Sequence, residues 1–205
     1  MLLDIKETLD TMGITITGIL HIGAHLCEEL ETYKRWNVNP TNVVWVDANE
    51  RLVEENKSRN VPNVYCAALD EISRIAEFKI TNNGQSSSLL DLGTHATDYP
   101  DIVVVETRKV TTTTLPEFLR QNSLFPRDYN LWNLDIQGVE LQVLRGASSL
   151  LDEVDAVYTE VNSQEVYKGA GQIGEIDSLL EDHGLKRVLT QMTDAGWGDA
   201  LYVRV

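Results

Sequence analysis

Residues 18–24 read Gly-Ile-Leu-His-Ile-Gly-Ala, and residues 42–48 read Asn-Val-Val-Trp-Val-Asp-Ala. Each segment contains an apolar run of strand length; the first run ends at a glycine and the second at an aspartate. Between them Leu26, Leu30 and Tyr33 keep the spacing of a helix with one buried face. Strand, glycine turn, helix and strand make a βαβ unit, which predicts a ligand crevice at the carboxyl ends of the strands.

The rest of the chain continues this alternation, which predicts a single α/β domain over residues 1–205 with a mainly parallel sheet. Further helices are predicted within 1–17, at 49–59, from 114, at 138–146 and at 173–184, and further strands at 64–69, 74–80, 109–113, 129–135, 156–160, 185–190 and 200–205. The last two strands are joined by a short turn, so an antiparallel strand is predicted at one sheet edge. The opening helix is expected to pack across the sheet edge or to cover the site.

Residues 71–113 interrupt the alternation. They contain two predicted strands with no convincing helix between them, and the connection includes the polar turn-forming run 82–88. A long ordered connection usually has a function. We therefore predict an insertion or lid on the substrate side of the crevice.

The composition limits the partners. The chain has 17 Lys and Arg against 32 Asp and Glu, a formal charge of -15, which disfavours a nucleic-acid partner. No apolar run reaches the roughly 18–20 residues of a membrane span, and no signal peptide is recognised. Cys27 and Cys66 provide neither a disulfide framework nor metal-ligand spacing. A cytoplasmic protein without a membrane partner is expected.

The glycine turn distinguishes two ligand classes. Residues 23–28 read Gly-Ala-His-Leu-Cys-Glu, where a dinucleotide-binding loop reads Gly-x-Gly-x-x-Gly. Glu28 takes the place of the third glycine and disfavours a pyrophosphate at the helix N-terminus. A nucleoside with a cationic group and no phosphate is favoured, and S-adenosylmethionine is such a ligand. Asp47 can accept ribose hydroxyls in either class, so it discriminates weakly.

Residues 133–147 read Asn-Leu-Asp-Ile-Gln-Gly-Val-Glu-Leu-Gln-Val-Leu-Arg-Gly-Ala and closely resemble the signature of the FkbM-type methyltransferases. That family depends on S-adenosylmethionine and is mostly linked to O-methylation of sugars and other natural products. Further similar segments follow in the family's order: 21–25, 46–49, 67–70, 85–89 and 198–203. The resemblance implies a Rossmann-like three-layer sandwich of the class I methyltransferase type.

The sequence departs from the family at two places. The family usually has an acid where His21 stands, and Glu-Pro where Asp47-Ala48 stands. Asp47 retains a carboxylate for the ribose. His21 removes a carboxylate that helps to orient the methionine end of the cofactor, and Glu28 or Glu29 is a candidate to replace it.

The resemblance also implies which residues bind ligands. The implied cofactor-binding residues are His21, Gly23, Ala24, Glu28, Asp47, Ala48, Ala68, Leu69 and Asp135. The implied substrate-binding residues, facing the methyl group or the acceptor, are Ser86, Ser87, Ser88 and Gln137. Asp135, Glu160 and Asn162 could offer oxygen ligands to a cation, but their spacing does not demand one, so no metal is predicted.

Methyl transfer from a sulfonium to a hydroxyl requires an aligned acceptor and a base that removes its proton. Asp135 and Glu160 end predicted strands that open onto the crevice, and His25 lies in the glycine turn, so these are the candidate catalytic residues. Each has a structural alternative. Asp135 could bind only the cofactor ammonium or turn amides, Glu160 could cap a loop, and His25 could be structural.

We therefore predict a methyltransferase that uses S-adenosylmethionine to O-methylate a small-molecule or saccharide acceptor. Two alternatives stay open. One is a nicotinamide-dependent oxidoreductase on the same fold, against which the single-glycine turn argues. The other is a non-catalytic cofactor-binding or partner-binding module, which His21 favours. A homodimer is a further option.

Overall fold

A seven-stranded sheet forms the centre of the computed structural model, which describes residues 3–205. The strands are β1 (Ile19–Ile22), β2 (Val43–Asp47), β3 (Val64–Cys66), β4 (Ala68–Leu69), β5 (Ile75–Thr81), β6 (Val104–Thr113), β7 (Leu131–Leu134), β8 (Ala156–Asn162), β9 (Leu185–Met192) and β10 (Trp197–Arg204). The helices are α1 (Lys6–Thr11), α2 (Leu30–Arg35), α3 (Glu50–Ser58), α4 (His95–Asp98), α5 (Leu115–Gln121), α6 (Glu140–Gly146) and α7 (Ile173–Asp182).

The strand order of the main sheet is β3-β2-β1-β7-β8-β10-β9. Every neighbouring pair from β3 to β8 is parallel, whereas β10 runs antiparallel to both β8 and β9. The antiparallel strand therefore lies one position inside the edge strand β9. The order reverses between β1 and β7, which places a switch point, and with it a crevice, at the carboxyl ends of these strands.

Helices cover both faces of the sheet. On one face Leu20, Trp132 and their neighbours pack against α5, α6 and α7. On the other face Trp45 and Tyr158 pack with residues of α1, α2 and α3. The predicted three-layer sandwich is confirmed.

The predicted packing of the opening helix, across the sheet edge or over the site, is wrong. Leu9 of this helix and Ile5 immediately before it belong to the core on the second face of the sheet, together with Leu201 and Val203. It thus covers a sheet face instead of the edge or the crevice, because its apolar side matches an apolar face. The helix ends at Thr11, and Met1 and Leu2 of the predicted helical segment lie outside the described residues.

The helix of the βαβ unit begins later than predicted. Leu26 precedes α2, because His25 and Cys27 have left-handed backbones with φ of 41° and 55° that an α-helix does not admit. Glu28 and Glu29 therefore lie in an irregular turn before the helix. This turn forms one wall of the crevice.

The predicted strand at 64–69 is in fact two strands. Ala67 N donates to Asp47 O, and there the pairing of β3 with β2 ends. Ala68 and Leu69 instead pair with Thr112 and Thr113 of β6, in a second sheet of order β4-β6-β5. The chain crosses from one sheet to the other beside the crevice.

The insertion consists of the β5–β6 pair and the connection between its strands. Strand β6 begins at Val104, earlier than predicted, and the connection contains the four-residue helix α4, which the sequence analysis missed. So short a helix leaves no periodic pattern to detect.

In the part of the chain that the structure describes, no helix combines the length and apolarity needed to cross a membrane.

Candidate active site

A pocket of about 430 Å³ opens at the carboxyl ends of the central strands. It is lined by residues of β1, β2, β8 and β10, by the turn after β7, by the β3–β4 crossing and by the insertion. The predicted site residues that line it are His21, Gly23, His25, Glu28, Asp47, Ala48, Ala68, Leu69, Ser86, Ser87, Asp135, Gln137 and Glu160. Two do not: Ala24 is buried in the core, and Ser88 donates its hydroxyl to Gln137 O at 2.7 Å.

The backbone of the glycine turn admits only a glycine at position 23. Its φ is 93°, and a Cβ there would lie 1.8 Å from Asp135 O. The amides of Gly23 and Ala24 both donate to Val46 O, which joins the turn to β2. Gly23 thus packs directly against the backbone that follows β7, and it also lines the pocket.

Asp47 is fixed by two backbone amides. Its Oδ2 accepts from His25 N at 2.8 Å and its Oδ1 from Asn49 N at 2.7 Å. Burial raises the pKa of Asp47, while the two amides oppose that rise. Each carboxylate oxygen has further lone pairs, so Asp47 can accept additional hydroxyls from a ligand.

His21 lies at the base of the pocket, 3% exposed. Its Nδ1 is 2.9 Å from the Tyr33 hydroxyl, which in turn accepts from Asn133 Nδ2 at 2.8 Å. Tyr33 then donates to His21, so we infer that the imidazole proton is on Nε2. Burial lowers the pKa of His21 although Glu29 and Asp135 favour the charged form. A neutral ring follows at pH 7.

Asp135 and Glu160 are brought together by Gln137. The Gln137 Nε2 atom donates to Asp135 Oδ1 and to Glu160 Oε2, both at 2.6 Å. Glu160 is buried within β8, which extends two residues beyond the predicted end of the strand. Burial raises the pKa of Glu160 well above its usual value, and the nearby carboxylates of Asp135 and Glu140 add to the rise.

Glu140 shapes the turn that carries Gln137. Its carboxylate accepts from Ile136 N at 2.8 Å and from Gly138 N at 2.9 Å. Burial raises the pKa of Glu140 to about 8, while those two amides oppose the rise. Its bonds are to the turn, and it does not line the pocket.

The serine run lies against the pocket, but its hydroxyls bond within the protein. Ser86 Oγ lies 3.1 Å from His95 Nε2 and accepts from Asn83 Nδ2 at 3.0 Å. Ser87 Oγ donates to Gly84 O at 2.7 Å. The substrate-binding role of these serines stays a prediction.

His25 faces the insertion across the pocket. Its Nδ1 lies 2.6 Å from Glu28 Oε1, and a Cβ on Gly84 would lie 3.4 Å from its Nε2. His25 thus lies close to Gly84 in the polar run 82–88. Its catalytic role also stays a prediction.

An aromatic wall was missed by the sequence analysis. Trp197 Nε1 donates to the Tyr99 hydroxyl at 3.0 Å, and the His95 ring lies 5.0 Å from that of Tyr99 and 5.4 Å from that of Tyr167. All four rings line the pocket. Long-range folding brings them together, and the only available signal was Trp197, next to the family-like segment 198–203.

Comparison with protein families finds a match to the methyltransferase FkbM domain over residues 21–186. No curated protein matches the chain. This match favours the predicted methyltransferase over the nicotinamide-dependent alternative.

Solved structures support the fold. A methyltransferase FkbM from Methylobacillus flagellatus KT is similar with a TM-score of 0.57 and 11% identity over 91% of this chain and 43% of that chain. The present chain therefore spans less than half of that relative's length. Magnesium protoporphyrin IX methyltransferase (ChlM) from Synechocystis PCC 6803 with bound S-adenosylhomocysteine is similar with a TM-score of 0.52 and 12% identity over 98% of this chain and 80% of that chain.

A third structure is a putative tRNA methyltransferase from Streptococcus pneumoniae in complex with S-adenosylmethionine, with a TM-score of 0.52 and 11% identity over 100% of this chain and 73% of that chain. At these identities the structures establish the fold alone. The family match covers most of the chain and agrees with the glycine turn, the strand-end acids and the strand order. The chain belongs to the FkbM methyltransferase family, whose members depend on S-adenosylmethionine.

Proposed function

We propose that this chain transfers the methyl group of S-adenosylmethionine to a hydroxyl of a small-molecule or glycan-like acceptor. The observation that carries the proposal is the convergence of Asp47, Asp135 and Glu160 on one pocket. Asp47 and Asp135 are placed to bind the cofactor, and Glu160 lies on β8, the next strand of the sheet after β7.

The residues of the pocket fit this cofactor. Its acidic residues are Glu28, Glu29, Asp47, Asp135, Glu160 and Asp199, and the described lining residues include no Lys or Arg. Such a lining favours a sulfonium and an ammonium and disfavours the pyrophosphate of a dinucleotide. Ala68 and Leu69 offer an apolar surface to an adenine, and Asp47 offers acceptors to the ribose.

The strand order supports a division of the pocket into cofactor and acceptor halves. Neighbouring strands lie about 4.8 Å apart, so Asp47 on β2 and Glu160 on β8 are about 14 Å apart across the sheet. A cofactor held by Asp47 at its ribose and by Asp135 at its methionine end leaves Glu160 on the acceptor side. The aromatic wall lies there as well.

Bound S-adenosylmethionine supplies an electrophilic methyl group. In this proposal Glu160 accepts the proton of the acceptor hydroxyl, and Asp135 holds the ammonium of the cofactor. Tyr99, Tyr167 and Trp197 exclude water and give the acceptor an apolar face to pack against. His25 is the alternative base, on the glycine-turn side of the pocket.

The pocket supports a small acceptor over a nucleic acid. A concave volume of about 430 Å³ suits a compact ligand. Its acidic lining would repel phosphates. A cytoplasmic location and a homodimer remain predictions from the sequence.

A labelling experiment tests the proposed reaction. The protein is incubated with S-adenosylmethionine carrying a tritiated methyl group and with a panel of sugars, oligosaccharides and phenols. We expect labelled product that survives alkali, because a methyl ether is stable there whereas a methyl ester is hydrolysed. Label found only in alkali-labile esters or on nitrogen would contradict O-methylation of a hydroxyl.

A further inference from the structure

The side-chain amide of Gln137 is completely engaged inside the site. One Nε2–H donates to Asp135 and the other to Glu160, each at 2.6 Å. The Tyr167 hydroxyl donates to Gln137 Oε1 at 2.5 Å. Because both N–H groups are used, little of this side chain remains to bind an acceptor, in contrast to the substrate-binding role predicted for it.

These partners admit only one orientation of the amide. When the two acids are ionised their carboxylates only accept hydrogen bonds, so the NH₂ group then faces Asp135 and Glu160. The reversed amide would place its oxygen against two carboxylates and its NH₂ group against the Tyr167 hydroxyl. The two acids therefore set the orientation of the amide, and the Tyr167 hydroxyl completes it by donating to Gln137 Oε1.

The backbone holds the side chain in place. Gln137 is left-handed, with φ of 59°, a conformation that persists only where the surroundings impose it. Ser88 donates its hydroxyl to Gln137 O at 2.7 Å. The next residue is fixed too, because a Cβ on Gly138 would lie 3.0 Å from Tyr167 Cβ. The insertion and the β8–α7 connection thus both fix this turn.

Glu160 lies in an acidic environment. The titratable groups that face it are Asp135 after β7, Glu140 on α6, Asp199 on β10 and Tyr167 in the β8–α7 connection. A small cavity beside it is also lined by His21, Glu29 and Tyr158. An N–H donor on Glu160 stabilises its ionised form, which is the form able to accept a proton.

We propose that Gln137 is a positioning residue that holds Asp135 and Glu160 as one ionisable pair, and that Tyr167 helps to hold its side chain there by donating to its Oε1. The proposal rests on the proposed function only in assigning Glu160 to the acceptor side. Removal of the amide would leave two acids facing each other without a donor between them. Glu160 would then bind its proton more tightly and would accept one from an acceptor less readily.

The test measures proton affinity and needs no acceptor. The protein is labelled with carbon-13 at glutamate carboxyls, and Glu160 is identified by the signal missing in Glu160→Gln. Its titration is followed in the wild type, in Gln137→Met, which keeps the length and removes the amide, and in Tyr167→Phe. Gln121→Met, on the exposed side of α5, is the matched control.

We expect the Glu160 midpoint to rise by about one pH unit or more in Gln137→Met, roughly a tenfold gain in proton affinity. Tyr167→Phe should raise it less, and Gln121→Met should leave it unchanged. An unchanged midpoint in folded Gln137→Met would overturn the proposal. If that variant does not fold, an unchanged midpoint in Tyr167→Phe overturns it.

The same samples are titrated with S-adenosylhomocysteine. Failure of the wild type to bind it would overturn the proposed function and would leave the Glu160 result valid. The two claims can therefore fail separately.

Discussion

At the scale of single residues, the chemistry depends on acids whose partners differ. Asp47 accepts two backbone amides, whereas Glu160 is buried among other acids and receives the Gln137 amide. The first arrangement suits a fixed acceptor of ribose hydroxyls. The second suits a group that exchanges a proton. Two substitutions test this difference.

Asp47→Asn should weaken S-adenosylhomocysteine binding by about tenfold or more, a typical loss for hydrogen bonds to a charged group. The NH₂ group of asparagine would face the backbone N–H of His25 or of Asn49, each of which now donates a hydrogen bond to the carboxylate. Calorimetric titration measures the change. Asp182→Asn, at the exposed end of α7, is the control, and equal affinity in both variants would remove Asp47 from the cofactor site.

Glu160→Gln should lower kcat by about 100-fold or more, the usual contribution of a general base. The affinity for S-adenosylhomocysteine should change little. The pKa of Glu160 is raised and the base acts when ionised, so wild-type turnover should increase with pH through that pKa. Asp135→Asn is measured beside it with any acceptor that takes label. Full activity in both variants would refute the assignment of either acid as the base.

At the scale of elements, the sequence predicts the regular parts well. The apolar runs that end at Ile22 and Val46 and the periodic spacing of α7 locate their elements, since each depends on local pattern. The sequence misses the β3–β4 crossing at Ala67 and the left-handed residues His25 and Cys27, because these depend on contacts with β2 and β6. It finds the acids at or near the carboxyl ends of strands, but not the aromatic wall.

The glycine turn gives the sharpest prediction at this scale. Gly23→Ala should lower the free energy of unfolding by about 3 kcal/mol or more, because a Cβ would overlap Asp135 O in a left-handed backbone. Gly13 provides the control. Its φ is 74°, but among the described residues other than its chain neighbours no atom lies within 4 Å of the place that a Cβ would take, so Gly13→Ala should cost only about 1–2 kcal/mol. Urea unfolding of both variants measures the difference, and equal losses would show that the turn is not closely packed.

At the scale of the whole molecule, the excess of acidic residues affects both the stability of the fold and the ligand that the pocket binds. The chain has a formal charge of -15, and acids also line the pocket at the carboxyl ends of its strands. Charge and the single-glycine turn could both be read from the sequence. The burial of Glu140 and Glu160 could not, because it results from packing between β8, α6 and the connection to α7.

Stability should fall as pH rises from about 4.5 to about 8, the range between the ordinary and the raised pKa of Glu140. The folded protein binds protons more tightly there than the unfolded chain, so the unfolded state gains as protons leave. Glu160 acts in the same direction, whereas buried His21, whose pKa is lowered from 6.5, acts in the opposite direction below that pH. Urea unfolding at about pH 5, 6.5 and 8 spans this range and measures the change. Glu160→Gln should flatten the profile, and a wild-type profile that rises between about pH 6.5 and about pH 8 would contradict the buried acids.

The central claim is that the crevice binds S-adenosylmethionine, and calorimetric titration with S-adenosylhomocysteine tests it most directly, with NAD and NADH as parallel ligands. We predict saturable binding of S-adenosylhomocysteine at one site per chain and no heat from either nicotinamide. Binding of NAD or NADH without S-adenosylhomocysteine, or binding of none of the three, would contradict the account.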